Sequence, residues 1–236
     1  MSREDAKLEL SRIVFIGRTY EEYMLMFDLS AEEIIGRKIL DCPAGACSFT
    51  AGANKVGAQV VAADIAYYHP LDQLEDKGLN DLEHAMVQME KAKDNFVWDY
   101  FENVNSLKMN RTHALTDCLE DMKESPDHYV PAVLPQLLFK DNEFDFTLSA
   151  HFLFMYADRL DYDFHMTTLK ELMRVTRDEI RIFPLVDLSS QRYKHLDELL
   201  TFIHSQGWET EEVIVPYEFH HHANSMLKLK RLVNKN

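Results

Sequence analysis

Short apolar runs of strand length alternate along this chain with longer stretches in which apolar residues recur every three or four positions. Ile39-Leu40-Asp41 is the first run, Gln59 to Ala63 the second, His128-Tyr129-Val130 a short third and Phe144 to Ala150 the fourth. Glu179 to Phe183 reads as a fifth strand, with Val213 to Tyr217 and Ser225 to Leu232 after it. Near-continuous apolar runs are what parallel strands buried on both faces require. Helical spacing joins Tyr20, Tyr23, Met24 and Phe27; then Phe49, Ala53 and Val56; then Met166, Leu169, Leu172 and Met173; then Leu196, Leu199, Leu200 and Ile203.

The helix ends are marked as well. Thr19 with Glu22 and Ser30 with Glu33 have capping-box spacing. Ser48 or Thr50, then Asp163, then Ser189 or Ser190 are the expected caps of later helices, and Gly36, Gly57 and Gly207 the expected stops. Ser2 to Leu10 is charged and reads as a frayed helix or tail.

Two stretches break the alternation. From Leu71 to Met122 strand signals nearly vanish, while Leu82, Met86, Met89 and the segment from Phe96 to Val104 keep helical spacing. A crossover needs only about a dozen residues, so 71–126 reads as a helical insertion, either a scaffold or dimerisation arm or a lid over substrate. At the far end, the last two strands lie too close together for a crossover helix and must run antiparallel, directly or about a neighbour. The architecture expected is α/β: a doubly wound, mostly parallel seven-stranded sheet with an antiparallel C-terminal strand pair. The chain reads as a single domain over 1–236, with 1–36 as a helical leader.

The segment from Arg37 to Asp64, RKILDCPAGACSFTAGANKVGAQVVAAD, carries the chemistry. It reads as strand, small-residue turn, helix, strand and acid. Such a turn brings backbone N–H groups and a helix end to a ligand, and an acid about 20 residues on is placed for ribose hydroxyls. A nucleoside-bearing cofactor is the expected ligand. The chain has only 7 glycines, and Gly45 alone stands in this turn, so it is not a glycine-rich loop.

Composition narrows the partners. A net charge of −15 argues against gripping phosphate backbones or anionic membranes. With 46% hydrophobic and 28% charged residues the 236-residue chain is an ordinary globular sequence with ample core. No run reaches the roughly 18 apolar residues of a spanning helix and MSREDAKLEL lacks a signal-peptide core, so a cytoplasmic location is expected. Cys42, Cys47 and Cys118 form no CxxC pair and read as packing residues of a reduced interior. His220, His221 and His222 are adjacent on an extended segment, where at most two can share an ion. They are expected to lie far from the site mouth, and no metal site is expected.

Taken together, Ile39 to Ala46, Val60 to Asp64, Leu138 to Phe146, Leu172-Met173-Arg174-Val175 and the antiparallel tail resemble the class I S-adenosyl-L-methionine-dependent methyltransferase superfamily, over essentially Arg37 to Leu232 outside the insertion. More closely, the chain looks like uncharacterised bacterial members with a GRTYEEY-type leader. The resemblance implies a Rossmann-like transferase binding S-adenosylmethionine and moving a methyl group in line to an acceptor, here a small molecule. Asp64 would meet the ribose hydroxyls and Asp41 the methionine end. Pro43 and Cys47 replace the family's outer glycines, leaving the amides of Ala44, Gly45 and Ala46 to serve. Val133 stands where members often carry an adenine-binding acid, so Val133 and Leu134 backbone groups, with Ile65 on the ring, would hold adenine.

Ser149 and His151 fall on the same sheet edge, His151 being the candidate general base or a structural histidine. Ser149, and Arg18 and Tyr20 of the leader reaching over the turn to a carboxylate, are further candidate cofactor-binding residues, Arg18 and Tyr20 being otherwise part of a packed helix. Tyr67 and Tyr68 either line the entrance or pack under the insertion. A homo-oligomer through the insertion is open. So is a cofactor-binding or regulatory protein without turnover. A nicotinamide enzyme is disfavoured by the antiparallel tail.

Overall fold

The computed structural model describes residues 14–232. Ser2 to Leu10 and Ile13 lie outside the described residues. One seven-stranded sheet organises the rest, in the order β3-β2-β1-β4-β5-β7-β6. Its strands are β1 (Lys38–Asp41), β2 (Gln59–Asp64), β3 (Tyr129–Pro131), β4 (Phe144–Ala150), β5 (Thr176–Phe183), β6 (Trp208–Ile214) and β7 (Ser225–Arg231). The first five pair in parallel, and β7 runs antiparallel to both β5 and β6. This is the expected doubly wound sheet with its antiparallel tail.

Helices cover both faces. Alternation of side chains along each strand divides the core in two. Ile39, Val60 and Leu148 face α1 (Tyr20–Met26), α2 (Ala31–Ile34) and α3 (Phe49–Lys55). Leu40, Ile180, Ile182, Leu227 and Leu229 face α6 (Tyr162–Val175) and α7 (Leu196–Ser205). Phe144 and Phe146 join opposite clusters despite their even spacing, because the register shifts between them.

Several local expectations need correcting. The cap of α6 is Asp161, which accepts from Phe164 N, not Asp163. The α7 N-cap is His195, with no side-chain cap bond, and Ser189 and Ser190 belong to a preceding turn. Ser48 stands at the α3 N-cap, but its hydroxyl accepts from Tyr20 N instead. Val56 is exposed, one residue past the end of α3. The sixth strand begins at Trp208 and ends at Ile214, where Val213 to Tyr217 was expected. An edge strand with its outer face in water needs no apolar run, and Glu209, Glu211 and Glu212 hid it. Both capping boxes of the leader form, at Thr19–Glu22 and Ser30–Glu33.

The leader is pinned to the sheet by the buried Arg181 of β5. Its Nη1 donates to the carbonyls of Phe27 at 2.5 Å and Asp28 at 3.0 Å, its Nη2 to Glu33 at 3.0 Å and its Nε to Glu179 at 2.5 Å. A buried guanidinium needs most of its donors occupied, and these contacts fix where α1 ends. Beyond β2, α4 (Leu71–Lys91) and α5 (Val104–Glu124) form a helical pair. They cross closely at Gly78, where an added Cβ would lie 2.6 Å from a Leu115 methyl.

Candidate functional site

Strand order reverses between β1 and β4, and ligands of open α/β sheets bind beside such a reversal, outside the carboxyl ends of the strands. The turn Cys42 to Cys47 leaves β1 at that edge and is tied down on all sides. Ala44 N donates to Ala63 O at 3.2 Å, Gly45 N to Asp64 Oδ2 at 2.8 Å, and Tyr67 Oη to Gly45 O at 2.7 Å. Gly45 takes a positive φ of 57°, which glycine adopts without strain. The turn thus folds back onto β2, with the Ala44 and Gly45 amides engaged within the fold. Tyr67 is buried edge-on against Tyr129, while Tyr68 is exposed.

The leader lies directly on this turn. A Cβ on Gly17 would fall 1.8 Å from Ala46 O, so only glycine permits the approach. Arg18 N donates to Cys47 Sγ and Ser48 N donates to Arg18 O, clamping leader to turn. Phe15 is fully buried in one cluster with Ala44, Ala46, Leu115 and Cys118, joining leader, turn and insertion. The Tyr20 ring stacks on Phe49 and lies against Gly52 of α3.

Two acids end neighbouring strands here. Asp64 is nearly buried, its Oδ2 taken by Gly45 N and its Oδ1 accepting from Ala66 N at 2.8 Å. Burial raises its carboxyl above the ordinary value against the pull of those two amides. Each oxygen keeps a second lone pair for a hydroxyl donor. Asp41 is fully buried, accepts from Tyr23 Oη at 3.1 Å through Oδ1, and leaves Oδ2 buried without a partner. Burial, with Asp64 nearby, pushes the Asp41 carboxyl well above its ordinary value. Burial, then the Asp41 carboxylate, push the Cys47 thiol up to about 12, and burial with Asp64 and Asp41 raises the Cys42 thiol, so both are packing groups.

Beside the acids lies a second buried polar cluster. Glu22 of α1 accepts from Arg111 Nη1 of α5 at 2.5 Å, from Tyr217 Oη at 2.7 Å and from Thr19 N at 3.0 Å. Burial alone would raise the Glu22 carboxyl, but Arg111 and then Arg18 bring it below its ordinary value. His151 follows β4 with a φ of 51°, its backbone N–H on Phe183 O and its ring edge-on to the Phe183 ring. Burial, then the charges of Arg18 and Arg111, hold it well below its ordinary value, so it is a neutral imidazole. Arg18 Nε, Arg111 Nη2, His151 Nδ1 and Ser149 Oγ are all buried without a hydrogen-bond partner.

Asp41, Asp64, Ser149 and His151 thus gather at one edge, with Arg18 laid over it and Ile65, Val133 and Leu134 half-buried at its β2–β3 side. Glu22, Tyr23, Arg111 and Tyr217 were missed. The sequence reads Glu22 only as a cap and Tyr23 only as an apolar stripe. Arg111 had a signal: it falls on the buried stripe Leu107, Ala114, Leu115 and Cys118, where a base is out of place. The histidine run is also closer than expected. Because β6 and β7 are antiparallel, their connection returns to the carboxyl edge, and His220 rests on Phe96 with its Nδ1 3.2 Å from Ser190 Oγ. Among the described residues no group of three or more His, Cys, Asp or Glu is placed to hold a metal ion.

Strand order and the antiparallel seventh strand are those of the Rossmann-like methyltransferase fold. A chain in the complex between the Haloferax volcanii Trm112 methyltransferase activator and a methyltransferase aligns over 92% of this chain and 92% of that one, at 9% identity and a TM-score of 0.50. A magnesium protoporphyrin IX methyltransferase from Synechocystis PCC 6803 aligns over 85% of this chain and 72% of that one, at 11% identity and a TM-score of 0.48. No protein-family model matches the chain. In sequence it is 34% identical over 225 residues to the uncharacterized protein MJ0045 of Methanocaldococcus jannaschii, covering 95% of this chain and 99% of that protein. The chain belongs to the family of that archaeal protein.

Proposed function

We propose that this protein is an S-adenosylmethionine-dependent methyltransferase acting on a small-molecule acceptor. The observation that carries the reading is the pair of buried acids at the carboxyl ends of adjacent strands, Asp64 with lone pairs left for hydroxyls and Asp41 with Oδ2 unpartnered. The cofactor's chemistry matches: ribose hydroxyls donate to Asp64, and the ammonium supplies the cation that Asp41 lacks. Ile65, Val133 and Leu134 would pack about adenine, and Ala46 and Ser149 would border the methionine end. Bound there, the cofactor supplies an electrophilic methyl group.

The protein's own part is to hold an acceptor in line with it, exclude water and, where the nucleophile carries a proton, remove it. His151 is the proposed base, standing at the end of β4 with Nδ1 buried and free of partners. Calorimetry tests the reading. S-adenosylhomocysteine should bind, NADH should not, and Asp64→Ala should weaken binding by about 10–100-fold, on the basis of roughly 1.5–3 kcal/mol for a charge-assisted hydrogen bond. No heat with S-adenosylhomocysteine would reject it.

A second reading draws on the cover over the turn. Ala46 lies against Gly17, and Ala44 and Ala46 pack with Phe15, a cover that also suits a protein that holds the cofactor without turning it over. Radiolabelled methyl transfer to any acceptor in a cell extract decides between the two.

A further inference from the structure

The Glu22–Arg111 cluster plays no part in holding the cofactor's ribose or ammonium, yet it lies at the same edge. Its charges do not balance. Two guanidiniums, Arg18 and Arg111, surround one acid, Glu22, while His151 is neutral and the Tyr217 hydroxyl is committed to Glu22. Glu22 has both oxygens occupied, by Arg111 and Thr19 N on one and Tyr217 on the other. Arg111, 4% exposed, spends Nη1 on Glu22 and has Nη2 buried without a partner, as is Arg18 Nε. A buried guanidinium donor left without an acceptor is costly, and one anion can answer both of these. Two cations beside one acid stand out further in a chain with net charge −15.

The surroundings say what kind of anion. Arg111 lies over the Phe101 ring at 5.0 Å, Tyr100 meets Tyr217 at 5.5 Å, and His151 meets Phe183 at 5.4 Å. Aromatic walls with a guanidinium fork suit a flat carboxylate. We propose that the methyl acceptor is a small aromatic or conjugated carboxylic acid, its carboxylate seated on Arg111 Nη2 and Arg18 Nε with His151 beside it. The assignment rests on the methyltransferase reading for the word acceptor, and on the unpaired guanidiniums for the word acid.

Benzoate and benzamide are the probes, titrated calorimetrically into the full chain with and without saturating S-adenosylhomocysteine. Benzoate should bind at least about tenfold more tightly than benzamide in both conditions. Arg18→Gln and Arg111→Lys should each weaken benzoate by about tenfold or more, and Arg111→Lys should leave S-adenosylhomocysteine affinity within about twofold. Arg18→Gln has no side-chain partner to lose at Nε and guards against misfolding in the Arg111 variant, whose lysine keeps the charge beside Glu22. Equal affinity for benzamide, or benzoate binding unchanged in both variants, overturns the proposal. Displacement of benzoate by S-adenosylhomocysteine also overturns it, since the cations would then serve the cofactor's own carboxylate. Benzoate binding in a protein that gives no heat with S-adenosylhomocysteine itself keeps the anion site and removes the cofactor reading instead.

Discussion

Replacing either member of the Glu22–Arg111 pair should cost stability unequally, and the order follows from the charges. Both side chains are buried, at 0% and 4% exposure, with 2.5 Å between Oε2 and Nη1. Glu22→Gln keeps the shape and an acceptor for Tyr217 but leaves the buried Arg111, with the half-buried Arg18 nearby, facing no acid. The cost of breaking a buried pair is about 3–5 kcal/mol, and this variant should fall in that range. Arg111→Met leaves Glu22 with Thr19 N and Tyr217 as donors and Arg18 as the nearby cation, so about 1–3 kcal/mol is expected. The double variant should cost less than the sum, with a coupling of about 1–3 kcal/mol. Urea unfolding at pH 7 measures all three, provided m is unchanged. If Arg111→Met costs more than Glu22→Gln, or the two add within about 0.5 kcal/mol, the charge account of this cluster is wrong.

Two further substitutions probe the turn. Gly17→Ala places a methyl 1.8 Å from Ala46 O, so the leader must lift. A loss of about 1–3 kcal/mol in chemical unfolding is expected, and an unchanged midpoint would mean that the leader does not bear on the turn. Asp41→Asn reports on the raised carboxyl. In the native state Asp41 keeps its proton above the ordinary aspartate value of about 3.9, whereas the unfolded chain releases it. The native form therefore binds more protons, and wild-type stability declines as pH rises from that value toward the raised one. The asparagine variant should show a shallower decline in thermal midpoint between pH 4 and 7, on the order of those values, with Asp64 keeping the remainder. It should also bind S-adenosylhomocysteine more weakly by about tenfold or more. A pH profile identical to wild type would show that Asp41 ionises in the native fold.

Much of the architecture was legible because the apolar runs of β1, β2, β4 and β5 are buried on both faces, and burial on both faces leaves an unbroken signature. The short spacing before β7 likewise forced an antiparallel tail. The edge strand β6 was misplaced because water on one side lets Glu209, Glu211 and Glu212 stand in a strand. Caps were legible where side chain and amide lie three residues apart, as at Thr19–Glu22. They failed at Ser48, where the hydroxyl finds a partner 28 residues away in Tyr20. Asp41 and Asp64 could be named from position alone, since strand ends fix them. The Glu22–Arg111 cluster could not. Glu22, Arg111 and Tyr217 come from three separate elements, and only the insertion's packing against the leader brings them together.

The central claim is that the edge beside β1 and β2 holds S-adenosylmethionine, and a structure of the complex with S-adenosylhomocysteine tests it most directly. The ribose should lie on Asp64, the ammonium on Asp41 Oδ2 and the adenine between Ile65 and Leu134. A ligand bound elsewhere, or the same edge still closed by Gly17 and Phe15 at saturating S-adenosylhomocysteine, would contradict it.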